Sequence, residues 1–130
     1  MTDVSQIFLI KAVESLDGAE SEFANTRYNN CANRCYYACF QAAIYALMQE
    51  GISPQGNQWG HAFVQAQFAG QLVNRRKLYS AKFRDTLERT YAVRQRADYQ
   101  VQQVSNKQAS RALARTREFI LTIQDGSPIS

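Results

Sequence analysis

The segment RTYAVRQRADY, residues 89–99, sets three permanent cations, Arg89, Arg94 and Arg96, around one ring, Tyr91, and closes on Asp98–Tyr99. Guanidinium groups match phosphate oxygens in bidentate fashion and aromatic rings stack bases, so these residue types suit RNA or nucleotide contact. The same spacing permits a plain helix-face ion pair between Arg94 and Asp98, four residues on. A second polar intrusion stands in RYNNCANRCYYACF, residues 27–40, where Asn33 and Arg34 interrupt the densest run of Cys, Ala and aromatic residues in the chain. Buried amides and guanidiniums need partners. Two expectations follow: Asn33 and Arg34 are satisfied by backbone carbonyls or by Asp98 across the fold, or they join Arg94 in lining a phosphate-sized pocket.

Other chemistries find less support. Cys31, Cys35 and Cys39 share one helical face, but a zinc site needs four ligands and the only histidine, His61, lies in the next segment. No CxxC pair occurs, so packing is the expected role of these thiols, with neither a metal nor another cofactor expected. No GxxxxGK[ST] or GxGxxG loop is present to cradle a nucleotide phosphate. A Ser–His–Asp triad would have to combine His61 with scattered serines, and their spacing does not favour it.

Charge is distributed unevenly over the 130 residues. Residues 1–65 hold three Lys/Arg against six Asp/Glu, whereas residues 66–130 hold twelve against five. The C-terminal half is therefore a candidate for polyanion contact, with a solvated basic face as the alternative. Asp3, Lys11, Glu14 and Asp17 break up the first twenty residues, which excludes a signal-peptide core or membrane span there. The odd cysteine count argues against a disulfide framework, so a cytoplasmic protein is expected.

The elements that must position these residues are helices. Apolar positions recur at three and four residues over about 3–25 and 27–49, and the second of these is apolar most of the way round, as befits the centre of a bundle or an interface. GISPQGNQWG, residues 51–60, stops it, with Gly51 as C-terminal cap. A third helix is expected from near Trp59 to Val73, burying Phe63, Ala66 and Val73, and a fourth from about Lys77 to Ala97 along Phe83, Leu87 and Tyr91. Ser105 and Gln108 have capping-box spacing and open the last helix, which runs to Gln124. One all-α domain over 1–124 is expected, with 125–130 as a disordered tail.

In order and distance, CANRCYYACFQAAIYALMQEG, the His that follows it, GQLVNRRKLY, VRQRADYQ and ARTREFI together resemble the HEPN domain family over about residues 14–123. The resemblance implies an antiparallel four- to five-helix bundle that dimerises, with helix two supplying core and dimer contact. Many members of that family are metal-independent ribonucleases, often toxins held in check by a minimal nucleotidyltransferase. Their motif is Arg, four to six residues, then His, shared between two protomers. Arg94 matches the motif arginine, whereas Tyr99 stands where its histidine would. A phenol with a pKa of about 10 is a poor general base at neutral pH, though it can donate a proton or bind phosphate. The resemblance thus implies Arg94, Tyr99 and Asn33 as catalytic candidates, and Arg34, Arg96, Asp98, Tyr37 and His61 as RNA or phosphate ligands. It implies RNA, tRNA included, a second copy of the chain and a nucleotidyltransferase antitoxin as partners, that antitoxin acting through modification of Tyr99 in one version. The alternative is a non-catalytic module that docks a partner protein through helix two and its basic outer face.

Overall fold

Asp3 opens the first helix by accepting a 3.1 Å hydrogen bond from the Ser5 N–H, which satisfies one of the free donors of the first turn. The computed structural model describes residues 3–99 and 101–126, and among them there is no strand. Helix α1 spans Val4–Ala24 and α2 spans Tyr28–Gln49, joined by a three-residue turn in which Thr26 takes a left-handed φ of 60°. At the far end of α2 the Gly51 N–H donates to Met48 O (3.1 Å) and the Ile52 N–H to Leu47 O (2.9 Å), with Gly51 at φ 74°. This paired pattern is a Schellman cap, which requires the left-handed residue that glycine supplies.

Two expected helices have different bounds. Helix α3 starts at His61 and is regular only to Gln67; from Phe68 to Arg75 the chain winds on as a π-helix. In an α-helix Val73 would lie about 140° round from Phe68, five steps of 100°. An i→i+5 winding brings positions five apart onto nearly one face, so Phe68, Leu72 and Val73 are all buried. The expected burial of Ala66 does not occur: it is exposed, and Val64 faces inward instead. Helix α4 spans Thr86–Tyr99, beginning well after Lys77, which sits at φ 54° in the left-handed region. Between them Ala81–Phe83 form a 3₁₀ turn whose Ser80 Oγ accepts from the Lys82 N–H. Helix α5 spans Asn106–Asp125 with both capping-box bonds formed, and Gly126 closes it at φ 67°. Of the expected tail, Asp125 is thus still helical, and 127–130 lie outside the described residues.

Contacts fix the helix directions. Gln49 at the end of α2 donates to Ser5 at the start of α1 (2.6 Å), while Asn33 meets Asp98 and Tyr37 meets Arg94, so α2 runs antiparallel to both α1 and α4. Asn106 donates to Tyr28 Oη (2.8 Å) and Cys39 Sγ lies 3.5 Å from Thr116 Oγ1, so α5 runs alongside α2 in the same sense. The result is an up-down-up-down bundle of α1, α2, α4 and α5, with α3 in the long crossover.

Helix α2 is its axis. Cys31, Ala32, Cys35, Ala38, Cys39, Ala42, Ala43 and Leu47 are all fully inaccessible, and their small side chains let three helices approach one backbone. The cysteines are free thiols. Burial pushes the Cys39 thiol up to about 12, and Cys31 is raised by its hydrogen bond with Cys35 and by burial, so these groups pack as neutral hydrophobes. Helices α1, α4 and α5 of the same chain cover these eight side chains, which therefore serve the core. The exposed residues of α2 are Asn30, Arg34, Tyr37 and Gln49, with Phe40, Tyr45 and Met48 half-buried.

Candidate functional site

Antiparallel packing brings two pairs spaced by four into register, Asn33 and Tyr37 on α2 against Arg94 and Asp98 on α4. Asn33 bridges the helices: its Nδ2 donates to Asp98 Oδ1 at 2.8 Å and its Oδ1 accepts from Arg94 Nε at 3.2 Å. Arg94 Nε also stands 3.4 Å from Asp98 Oδ2, and its NH2 donates to Tyr37 Oη at 3.3 Å. The guanidinium carbon lies 5.3 Å from the Tyr36 ring centre and 5.2 Å from that of Tyr37, within cation–π range of both faces. A guanidinium has five N–H donors. Only two are engaged among the described residues, so three remain for an external acceptor, on a side chain 22% exposed.

Beneath the guanidinium, Tyr36 is locked by a second chain of contacts. Its Oη lies 2.9 Å from His61 Nδ1, and His61 Nε2 lies 2.7 Å from Glu88 Oε1. A carboxylate can only accept, so Nε2 is the donor to Glu88, and in the neutral imidazole the Nδ1 lone pair accepts from the Tyr36 O–H. The His61 ring stacks on Tyr91 with 4.1 Å between centres. Burial pushes the Tyr36 phenol up to about 12, with Arg94 pulling the other way. Tyr36 is thus a neutral floor at 4% exposure, oriented from three elements at once.

The residues singled out in the sequence fall into four groups. Asn33, Tyr37, Arg94 and Asp98 form one network. Arg34 is apart from it: neighbours on a helix point about 100° from each other, and the Arg34 stem crosses α1 at Gly18, where an added Cβ would stand 3.6 Å from its Cδ. With Glu22, Asn30, Asn33 and Tyr37, Arg34 lines a cavity of about 350 Å³ beside the network. His61 reaches the network only through Tyr36. Arg96 makes no ion pair among the described residues, and Tyr99, at the end of α4, is 74% exposed without a hydrogen bond to Arg94. Two contributors escaped the sequence reading in these roles, Tyr36 and Glu88. Tyr36 resembled core, and nothing in local spacing links Glu88 to a histidine 27 residues earlier.

Among the described residues no group of three or more His, Cys, Asp or Glu is placed to hold a metal ion, and no helix is long and apolar enough to cross a membrane. No curated protein is detectably similar to the chain in sequence. The model of the HEPN domain matches residues 5–125, from the first turn of α1 to the last residue of α5. Taken with the all-helical bundle, a match over nearly the whole length shows that the chain belongs to the HEPN domain family.

Proposed function

We propose that the protein binds RNA at Arg94 and acts as the metal-independent ribonuclease toxin of a pair whose antitoxin is a minimal nucleotidyltransferase. The observation that carries the binding step is the held guanidinium: Nε is fixed by Asn33 and Asp98, while three N–H groups stay free above two tyrosine rings. A pre-positioned Arg loses little freedom on meeting a phosphate, and Tyr37, 41% exposed, offers a face for a base. Asp98, whose two oxygens already serve Asn33 and Arg94, positions the clamp rather than touching the anion. Among the described residues Arg34 is the one cation lining the adjoining cavity, where it shares the wall with Glu22.

In the cleavage step the RNA 2′-oxygen attacks the neighbouring phosphorus, a base removes the 2′ proton, and the P–O5′ bond breaks as an acid protonates the leaving oxygen. Arg94 stabilises the charge that builds on the phosphoryl oxygens, and Tyr99 is the acid, free to turn toward the leaving group. Both His61 nitrogens are engaged in each copy of the chain, so His61 holds Tyr36 in place and water takes the 2′ proton, in a cleft that two Arg94 sites of a homodimer share. The test is incubation with total tRNA, followed by gel analysis and binding isotherms. Arg94→Ala should abolish cleavage and weaken binding about tenfold or more, the scale of one charge-assisted contact. Equal binding by wild type and variant overturns the clamp, and binding without cleavage in either leaves a non-catalytic interaction module.

A further inference from the structure

The 3₁₀ turn, the start of α4 and the outer face of α5 enclose two cavities of about 450 Å³ each, which share Lys82 and Arg115 in their walls. Five cations line them, Lys82, Arg84, Arg89, Arg111 and Arg115, against two carboxylates. Both carboxylates are taken: Lys82 Nζ lies 2.6 Å from Glu118 Oε1, and Arg89 Nε lies 2.7 Å from Asp85 Oδ2. Arg84 donates only to the neutral Asn74 Oδ1 at 2.8 Å, and Arg111 and Arg115 make no ion pair among the described residues. Three guanidiniums therefore remain without compensating charge around one groove.

The wall beneath them contains an anomaly of its own. Thr86, the first residue of α4, is 1% exposed and lines the groove, and its Oγ1 is a buried side-chain oxygen with no hydrogen-bond partner. Buried hydroxyls are almost always bonded. The other buried threonines obey that rule, Thr90 donating to Thr86 O at 2.9 Å and Thr116 to Ala112 O at 2.7 Å. Thr86 departs from it at the N-terminus of a 14-residue helix, whose first N–H groups also lack partners within the helix and favour anions.

We propose that this groove is a second phosphate site, which takes the sugar–phosphate backbone of the RNA strand bound at Arg94. The inference rests on the RNA reading above and adds where the rest of the strand lies. Thr86 and Arg94 are eight residues apart on one helix, about 12 Å along its axis. The same eight steps of about 100° put them about 80° apart round the helix, so the strand crosses α4, and at about 3.4 Å per stacked nucleotide at least three to four steps separate the two sites.

The experiment measures binding of a labelled single-stranded RNA to the full chain between about 50 and 200 mM salt. Each phosphate contact on a single strand contributes about 0.7 to the slope of log affinity against log salt. Arg111→Gln/Arg115→Gln should weaken binding at low salt and flatten the slope by about 1.4. Thr86→Val should weaken binding with no loss of thermal stability, since its hydroxyl makes no bond. If the double variant loses its helical circular dichroism, Arg111→Gln alone, at an exposed position, should flatten the slope by about 0.7. Wild type and folded variants binding with equal affinity and slope overturn the second site while leaving the Arg94 clamp standing. A wild type that binds no RNA overturns both, and that arm alone reveals it.

Discussion

Asn33 is the residue on which the clamp turns, because one amide both accepts from Arg94 and donates to Asp98. Asn33→Ala removes both bonds and should cost about 1 kcal/mol, the usual net worth of such contacts at a partly exposed site. Asn33→Asp should cost more, since it places a second carboxylate where the amide now stands 2.8 Å from Asp98 Oδ1. The extra deficit should close as the pH falls toward about 4 and one of the pair takes up a proton. Thermal unfolding of the two variants at pH 7 and at mild acid checks this, and an aspartate variant as stable as the alanine variant at neutral pH would contradict it. The sequence made this network partly legible, since polar residues in an apolar run announced that partners were needed. It made Arg34 misleading, because adjacency in sequence is divergence on a helix, so one residue meets α4 and the next crosses α1. The Tyr36–His61–Glu88 chain was not legible at all, since its members come from three elements that only tertiary packing brings together.

At the scale of elements, local chemistry was readable wherever a cap states its own geometry. Ser105 and Gln108 do so: the Ser105 hydroxyl accepts from the Gln108 N–H at 3.1 Å, and the Gln108 side chain accepts from the Ser105 N–H at 2.9 Å. Ser105→Ala should therefore destabilise the protein by about 1 kcal/mol in urea unfolding, with the denaturant slope unchanged. A shift of less than a few tenths would mean that tertiary contacts of α5 make the cap redundant. The start of α4 lies later than the apolar spacing predicts, for a physical reason. Phe83, Leu87 and Tyr91 are spaced by four, and the first two are buried as that stripe requires, yet a 3₁₀ turn followed by a short link also turns both inward. Periodicity identified the face but not the element. The π-helix was hidden in the same way, since burying Phe68, Leu72 and Val73 together is a demand of the core and carries no local signature.

At the scale of the whole molecule, the expected all-α bundle and its central second helix are what formed, because a helix apolar most of the way round must be covered on most sides. The uneven charge does not hold the bundle together: pairs that join its acidic and basic halves, such as Arg117 with Glu20 and Arg76 with Glu50, are exposed and contribute little each. Stability rests on the buried neutral groups around α2, which sets its response to alkali. Cys39 is raised from 9.0 to about 12, and Tyr36 and Tyr79 from 10.0 to about 12, in each case mainly by burial. In the folded state these groups keep protons that the unfolded chain gives up, so the unfolded state binds fewer protons and stability falls as pH rises. Their contribution is fully present below about pH 9, declines once the unfolded thiol ionises, and falls most steeply between about 10 and 12, where all three groups act together. The midpoint of urea unfolding in reductant should accordingly be flat from neutral pH to about 9 and then drop. Tyr36→Phe, which also forfeits the bond to His61, should start lower yet descend less steeply above pH 10, by about one proton's worth of slope. A wild-type midpoint that stays level through pH 11 would mean that these phenols and thiols ionise as readily inside the bundle as in water, and α2 would then not be the sealed axis that its burial describes.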